Sequence, residues 1–388
     1  MENNSISQQV ETEKKPLIPF KGIVAWAVSL NPHCMFVYNE IAKKIPVTLC
    51  VMRTKFRNLG NVNLDNCRVI TINSVDDLPE ETLNNTYLHF CSGIKKRRNF
   101  NEVISDCERI VIEHNCPTMA LNLEQYPWWG VKGLLRSIQW CWIYNFGLGK
   151  NIKAFGCLGE SGIKAYRRSL INKKRIFEYV YAPPCVSATY IGEEEDNCYQ
   201  IIFVGGIASR KAIIETALNL KKIKEDFHFS IIGEGNQVEE LKRIIADDDR
   251  MTYLGKKEMN EVHEILERTD CLILSSTFDG WGATTNEALL HGCRCIVSDH
   301  AGSHSLIKYN GFGQVYSSGN NEQFIEAVKK EIARGKVSEE ERDNIKKWAK
   351  NIEPEAVAEY LIKVINYYFG DNKDKPMAPW RTDKRHEL

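Results

Sequence analysis

The residues best suited to chemistry lie in a single stretch of the second half of the chain. Residues 275–299 read SSTFDGWGATTNEALLHGCRCIVSD, in which Asp279 and Glu287 stand on either side of a glycine-containing loop. A strand-like run, DCLILSS, precedes the loop, and Thr284 or Thr285 could cap a following helix. Amides at a helix start attract anions, and glycines let a phosphate approach the backbone closely. The stretch therefore predicts an anion site bordered by two carboxylates.

Glu287 also has a purely structural interpretation. Thr284-x-x-Glu287 has the spacing of a capping box, in which the carboxylate would accept a hydrogen bond from the backbone at the helix start. Taken alone, Glu287 fits either interpretation, so the neighbouring motifs must decide.

Four further motifs accompany this stretch. Residues 201–213, IIFVGGIASRKAI, place Lys211 shortly after a predicted strand. FSIIGEGNQVEEL, RMTYLGKKEMNEV and ERTDCLILSS follow in that order. Together with D-G-W-G-A-T-T-N-E-A, they resemble the motifs of the GT-B glycosyltransferases of the large retaining family 4, whose signature is written around E-G-F-G-x-x-x-x-E-A.

The resemblance implies a role for each matching residue. Glu287 would bind the ribose hydroxyls of a nucleotide-sugar donor, Asp279 the hydroxyls of the sugar, and Lys211 the donor phosphates, while the loop amides hold the diphosphate. His114, Lys211, Asp279 and Glu287 are the implied catalytic residues. The implied donor-binding positions are Gly205, Gly206, Arg210, Lys211, Gly233, Tyr253, Leu254, Asp279, Gly280, Trp281, Gly282, Ala283 and Glu287.

Four positions depart from the family pattern. Gly206 stands where the family has a phosphate-binding arginine, so one charge-assisted contact is missing unless Arg210 or the first domain supplies it. Asp279 replaces the first glutamate of the signature, Arg294 replaces the usual proline, and Ser305 replaces a frequent glutamate. These changes affect the expected donor rather than the expected fold.

The first half of the chain resembles the family less closely. RIVIEHNCP at 109–117 is similar to the strand that ends in a histidine near the transferred sugar, which makes His114 the candidate; a structural histidine at a strand end is the alternative. His89, in YLHFCSG, is predicted to be structural. Asn31 and His33, in SLNPH, are weaker candidates for cleft residues, because this loop lacks glycine.

The segment 126–146, YPWWGVKGLLRSIQWCWIYNF, predicts a helix with two apolar faces. One face is a stripe formed by Val131, Leu134, Leu135, Ile138, Trp142 and Phe146. Trp140 and Tyr144 project from the opposite face, with Lys132 and Arg136 flanking them. Such a helix is either buried on both sides, or it presents Trp140 and Tyr144 to an acceptor or to a membrane surface.

Apolar, β-rich runs alternate with helical stretches along the whole chain, which predicts an α/β protein with two Rossmann-like, doubly wound parallel sheets. We expect a disordered tail at 1–20, an acceptor domain at 21–185 and a nucleotide-sugar domain at 186–345, with a linker near 183–198. Residues 346–388 are expected to hold a helix that crosses back to the first domain. With the resemblance, this is the GT-B architecture with its site in the interdomain cleft.

Composition limits the possible partners. The chain has 388 residues, 43% hydrophobic and 26% charged, which excludes a disordered protein. Lys plus Arg and Asp plus Glu each number 51, so we expect no nucleic-acid partner. The start lacks a secretory pattern, which predicts a cytoplasmic protein, peripheral at the inner face of the membrane if the 126–146 helix binds lipid. The 13 cysteines, scattered without metal-ligand spacing, are expected to be reduced.

We therefore expect a retaining glycosyltransferase that moves a sugar from a nucleotide-diphosphate donor to a saccharide or lipid-linked saccharide, in polysaccharide or glycoconjugate biosynthesis. No metal or other cofactor is expected, since no acidic metal cage is evident. Two alternatives share the same fold: a nucleotide-sugar epimerase, which needs no acceptor, and a non-catalytic partner of another transferase.

Overall fold

The chain is described by a computed structural model over residues 16–53, 64–94, 102–127, 129–184 and 198–381. These residues form two doubly wound α/β domains, each built on one parallel sheet. Most of the predicted linker lies outside the described residues. Two separate parallel sheets with helices on both faces correspond to the predicted fold class.

The first domain has a seven-stranded sheet in the order β3-β2-β1-β4-β5-β6-β7. Its strands are β1 Gly22–Ser29, β2 Val47–Arg53, β3 Arg68–Thr71, β4 Tyr87–Cys91, β5 Thr118–Leu123, β6 Ala154–Leu158 and β7 Ile176–Tyr179. Its helices are α1 Pro32–Ala42, α2 Glu102–Glu113, α3 Gly130–Cys141 and α4 Gly159–Arg168. Central strands such as β6 are buried along their whole length, which explains their nearly continuous apolar sequence.

The second domain has a six-stranded sheet in the order β10-β9-β8-β11-β12-β13. Its strands are β8 Tyr199–Val204, β9 Phe227–Ile232, β10 Met251–Gly255, β11 Cys271–Leu274, β12 Arg294–Ser298 and β13 Gly313–Tyr316. Its helices are α5 Ile213–Leu220, α6 Val238–Ile245, α7 Met259–Leu266, α8 Thr284–Leu290, α9 His304–Asn310, α10 Asn321–Ala333 and α11 Glu339–Ala349. The strand order reverses between β8 and β11, and ligands of such sheets bind at the carboxyl ends of the strands beside this point.

The last helix, α12 (Pro354–Phe369), returns to the first domain and packs against α1. The hydroxyl of Tyr360 donates to the carbonyl of Glu178 at 3.1 Å, and Asn366 donates to the carbonyl of Leu17 at 2.8 Å. The end of the chain thus fastens the second domain to the first.

The segment that contains His114 is not a strand. Residues 109–113 form the last turn of α2, and the run Ile110-Val111-Ile112 resembles a strand only because β-branched residues are concentrated there. His114 follows the helix, is exposed, and has its Nδ1 2.8 Å from the Ile110 carbonyl. It precedes β5, so it lies at the amino edge of the sheet, away from the strand ends that face the cleft. The predicted cleft position of His114 is therefore wrong.

The α3 helix buries the face that carries Trp140 and Tyr144 and exposes the opposite face. A membrane or acceptor contact through Trp140 and Tyr144 would require the opposite arrangement. Tyr144 is 2% exposed. The centroid of the Trp140 ring lies 4.3 Å from that of Tyr126 and 4.8 Å from that of Tyr166. The opposite stripe is between 50% and 76% exposed at Val131, Leu134, Leu135, Ile138, Trp142 and Phe146. The prediction that Trp140 and Tyr144 form the contact surface is therefore wrong.

Small residues explain why α3 turns this way. Gly133 and Ser137 are buried on the same face as Trp140, and they let the helix backbone approach the domain closely. The Ser137 hydroxyl lies 3.0 Å from both the Gly133 carbonyl and the Tyr126 hydroxyl, so its polar atom is satisfied inside the core. The bulky stripe has no such complementary surface in the described part of the chain.

This orientation can be tested by truncating one residue on each face. We expect Tyr144→Ala to lower the free energy of unfolding by about 3 kcal/mol, because it removes a buried aromatic ring. Leu135→Ala, on the exposed face, should change it by less than about 0.5 kcal/mol. Urea unfolding of both variants measures the difference. A larger loss for Leu135 than for Tyr144 would contradict this orientation.

Candidate active site

The loops that follow β8 and β11 meet at the point where the strand order reverses. Lys211 ends a 3-10 turn after β8, and Asp279 lies in the loop after β11. The Lys211 ammonium and the Asp279 carboxylate form an ion pair, and Arg210 Nη1 lies 3.6 Å from the same carboxylate oxygen. Lys211 and Asp279 are largely buried, whereas Arg210 is exposed. Two cations and one carboxylate are thus gathered at the cleft.

Hydrogen bonds between the two loops fix the Lys211 backbone. The Ser275 hydroxyl donates to the Lys211 carbonyl at 3.0 Å, and the Thr277 amide donates to the Arg210 carbonyl at 2.9 Å. Thr216 on α5 donates in turn to the Ser275 hydroxyl at 2.7 Å. The position of Lys211 is therefore set by the neighbouring strand's loop, not by its own turn alone.

Glu287 does not form a capping box. The cap residue of α8 is Ala283, which makes no side-chain hydrogen bond, and the buried Thr284 hydroxyl is unpaired. No described residue donates a hydrogen bond to the Glu287 carboxylate. Burial without a partner raises the pKa of Glu287 to about 7.

An unpaired buried carboxylate is costly unless a ligand supplies donors. Glu287 is 6% exposed and lies one helical turn into α8, directly after the loop that holds Asp279. The structural interpretation of Glu287 as a cap is therefore excluded. The Glu287 carboxylate can therefore accept hydrogen bonds from the hydroxyls of a ligand.

The loop between Asp279 and α8 has its backbone available. None of the amides of residues 280–283 donates to a described residue. Gly282 has a φ of +93°, which favours glycine, and a Cβ there would lie 2.4 Å from the Leu274 side chain. A Cβ at Gly280 would lie 2.0 Å from a carboxylate oxygen of Glu124 in the first domain. The glycines thus permit both the turn and the close domain contact.

The first domain contributes residues that the sequence did not point to. Gln125 donates both amide hydrogens to the second domain, to the carbonyls of Asp279 and His300, each at 2.7 Å. The Tyr181 hydroxyl donates to Glu124 at 2.8 Å. Glu124 and Gln125 directly follow β5, and Tyr181 follows β7. Their position after a buried strand is the one feature of the sequence that could have identified them.

His33 lies beside this group. Its ring stacks on Tyr181 at 5.3 Å, its Nδ1 is buried without a partner, and burial lowers its pKa, which favours the neutral imidazole. Asn31 instead caps α1 by accepting from the His33 amide at 2.9 Å. His89 is structural: Trp26 donates to its Nδ1 at 3.2 Å, and burial lowers the pKa of His89 to about 4.

The other predicted donor positions lie along the carboxyl edge of β8, β9 and β10. The Tyr253 hydroxyl donates to the Gly233 carbonyl at 2.8 Å, and the Gly205 amide donates to Ile232 at 3.0 Å. Leu254, next to Tyr253, packs against the core. At Gly206 a Cβ would meet only the Glu234 carbonyl, at 3.9 Å. Crowding therefore does not explain the missing arginine.

Two of the other departures have a structural reason. Arg294 is buried and donates to Glu341 at 2.8 Å and to the Gly335 carbonyl at 2.8 Å, which links β12 to α11. Ser305 lies against Gly159 of the first domain, where a Cβ would be 2.5 Å from its hydroxyl. A glutamate at 305 would collide with that domain, so the serine permits the contact.

The raised pKa of Glu287 has a consequence for stability. Because the folded protein holds this proton more tightly than the unfolded chain, the free energy of unfolding should fall as the pH rises from about 4.5 to 7, by up to about 3 kcal/mol. Glu287→Gln should remove this part of the pH dependence. Urea unfolding of both proteins at several pH values measures this dependence. If the free energy of unfolding changes with pH in the same way in both proteins, Glu287 is not an unpaired buried acid.

Residues 191–352 match the model described as glycosyl transferases group 1. This segment covers the second domain up to the end of α11 and includes Lys211, Asp279 and Glu287.

Curated relatives match over part of the chain. The lipopolysaccharide 1,6-galactosyltransferase of Escherichia coli (strain K12) is 27% identical over 148 residues, 36% of this chain and 41% of the relative. The Escherichia coli UDP-Gal:alpha-D-GlcNAc-diphosphoundecaprenol alpha-1,3-galactosyltransferase is 28% identical over 141 residues, 34% of this chain and 36% of the relative. The matched segments thus span less than half of these relatives.

Solved structures match over nearly the whole chain. The lipopolysaccharide outer core galactosyltransferase WaaB is 14% identical with a TM-score of 0.62, covering 87% of this chain and 96% of that one. Anabaena HepE in complex with UDP is 11% identical with a TM-score of 0.63, covering 89% and 98%. At this identity the likeness concerns the fold. Residues 191–352 are thus similar to the glycosyl transferases group 1 family, and the two domains together have the GT-B fold.

Proposed function

We propose that this protein is a retaining glycosyltransferase that moves a hexose from a UDP-sugar to a saccharide or lipid-linked saccharide during polysaccharide assembly. The observation that carries the proposal is the Lys211–Asp279 ion pair at the switch point of the second sheet, together with the buried, unpaired carboxylate of Glu287 in the helix that follows the Asp279 loop. Two matched relatives are named galactosyltransferases, and a matched structure holds UDP-glucose. The resemblance of the donor motifs to family 4 supports retention.

Glu287 suits the ribose of the donor. Two neighbouring hydroxyls can donate to one carboxylate, and donation to the charged form would lower the pKa of Glu287 again from about 7. Ligand binding would thus remove the cost of burying an unpaired acid. We therefore expect Glu287 to raise the affinity for ligands that contain a ribose over the affinity for those that do not.

Lys211 and Arg210 suit the diphosphate. As the bond between sugar and diphosphate breaks, negative charge collects on the leaving group, and fixed cations that lie close to it lower the barrier. In the ligand-free arrangement Asp279 neutralises Lys211. We propose that the diphosphate takes over the Lys211 contact, which leaves Asp279 to accept from sugar hydroxyls.

The acceptor would approach from the first domain. Glu124, Tyr181 and His33 form a polar group at the carboxyl edge of its sheet, against the loop that holds Asp279. Among the described residues, no three or more His, Cys, Asp or Glu side chains cluster as a metal site would require. The proposal assigns charge neutralisation to Lys211 and Arg210 and includes no divalent cation.

Thermal shift followed by a transfer assay tests the proposal. UDP at 100 times its dissociation constant should stabilise the protein by about 2.7 kcal/mol, and UDP-galactose or UDP-glucose should then support transfer to a saccharide acceptor. Release of UDP without acceptor, with a new sugar nucleotide formed, would favour an epimerase. If no nucleoside diphosphate or nucleotide sugar shifts the melting temperature, the proposed donor site is wrong.

Lys211 and Asp279 should separate nucleotide binding from sugar transfer. Lys211→Ala should lower transfer by about two orders of magnitude, comparable with loss of one preorganised charge contact. Asp279→Asn should also lower transfer but leave UDP affinity unchanged or higher, because it frees the Lys211 ammonium. Titration with UDP and with the intact donor measures both, with Lys347→Ala, at an exposed position of α11, as control. Equal loss of both affinities in Asp279→Asn would show that Asp279 only shapes the loop.

Gly206→Arg should supply the phosphate-binding arginine of the family pattern that this segment resembles. Because the space around a Cβ at 206 is open, the variant should fold with an unchanged melting temperature. One added charge-assisted hydrogen bond, worth about 1.5 kcal/mol or more, should raise UDP affinity about tenfold. Isothermal titration of wild type and variant measures it. Unchanged affinity in a folded variant would place the diphosphate away from Gly206.

A further inference from the structure

The first domain carries a continuous exposed apolar surface. We call it the α3 ridge, and it consists of Val131, Leu134, Leu135, Ile138, Trp142 and Phe146. The last two belong to a π-helical turn, Trp142–Phe146, that extends α3. Each of the six is at least 50% exposed. Single exposed apolar residues are ordinary, but large side chains at helical spacing on one face mark a surface that another phase or molecule covers.

The chain around the ridge is strongly basic. Residues 125–177 contain ten lysines and arginines and one acidic residue, Glu160, although the whole chain has 51 of each charge. Lys132 and Arg136 lie on α3 itself. Lys150 is exposed shortly after the π-helical turn. Positive charge is therefore concentrated in the segment of chain that carries the apolar surface.

Packing brings further basic residues to the same place. Arg175 donates to the carbonyls of Tyr144 at 3.2 Å and Gly149 at 2.9 Å, which holds the turn Lys173–Arg175 beside the end of the ridge. Lys173 and Lys174 in that turn are exposed. The surface therefore joins bulky apolar side chains with exposed lysines at its end.

We propose that the α3 ridge docks this protein onto the surface of an anionic phospholipid bilayer. Trp, Phe and Leu side chains with adjacent lysines are the combination that inserts at the boundary of headgroups and acyl chains. Anionic headgroups attract each juxtaposed lysine or arginine. A second copy of the chain fits less well, because a two-fold contact would place ridge on ridge and bring two basic borders together.

The ridge is continuous with the mouth of the cleft. Trp129 lies directly before α3. Its ring stacks on His300 with 4.4 Å between ring centroids, and it meets the Phe278 ring edge-on with 6.2 Å between centroids. Phe278 is the neighbour of Asp279 in the loop after β11. Docking through the ridge would hold the cleft at the bilayer surface, where a lipid-linked acceptor resides. This last consequence rests on the proposed function, whereas docking itself does not.

Co-sedimentation with vesicles tests the docking. Phosphatidylcholine vesicles with zero to about 40% phosphatidylglycerol should bind the full chain increasingly well as the anionic fraction rises. Leu135→Ser with Trp142→Ser should lower the partition coefficient at least tenfold, and Lys132→Glu should weaken binding to anionic vesicles. Leu218→Ser, on the half-exposed side of α5, and Lys347→Glu are the matched controls and should bind as wild type does.

Because the changed side chains are exposed, the variants should keep the wild-type melting temperature and UDP shift. No binding by wild type at any phosphatidylglycerol fraction would overturn the proposal, as would equal loss in ridge and control variants. A concentration-dependent dimer that the ridge variants abolish, without vesicle binding, would show that a second copy covers the ridge. The UDP shift, measured without vesicles, reports the donor site separately, so either proposal can fail alone.

Discussion

The contact between Lys211 and Asp279 is the constraint on which the cleft depends. Both groups are largely buried, and a buried charge is stable only beside its partner, so the loops after β8 and β11 must lie together. Ser275 and Thr277 hold the two loops in that register. The loop that holds Asp279 then leads into α8, whose first turn carries Glu287. The loops after β8 and β11 therefore form a polar site where the strand order of the second sheet reverses.

The first domain is placed by polar contacts to that same loop. Gln125 bonds the carbonyls of Asp279 and His300, and Asn286 of α8 donates to the Tyr181 carbonyl at 2.8 Å while accepting from Trp281. A change in domain closure would break the bonds of Gln125 and the bond from Asn286 to Tyr181. The position of the first domain is thus coupled to the conformation of the loop that, on the proposed function, holds the donor.

The α3 helix illustrates how two apolar faces are assigned. Both faces are hydrophobic in sequence, but only one carries Gly133 and Ser137, whose small size allows close approach to the domain. Trp140 and Tyr144 lie on that face and enter the core, which leaves the bulkier ridge outside. Hydrophobicity alone could not distinguish the faces, because the outcome depends on shape complementarity with Tyr126 and Tyr166.

The sequence by itself determined the two parallel sheets and the glycine-containing loop after β11, because the alternation of strands and helices and the glycine spacing around Asp279 are local patterns. It misplaced His114, since a β-branched run at a helix end looks like a strand when its neighbours in space are unknown. Only the tertiary structure decided that Glu287 has no partner, and that Glu124 and Gln125 enter the cleft. Partners distant in the chain determine burial and pairing, and no local pattern records which distant residues meet.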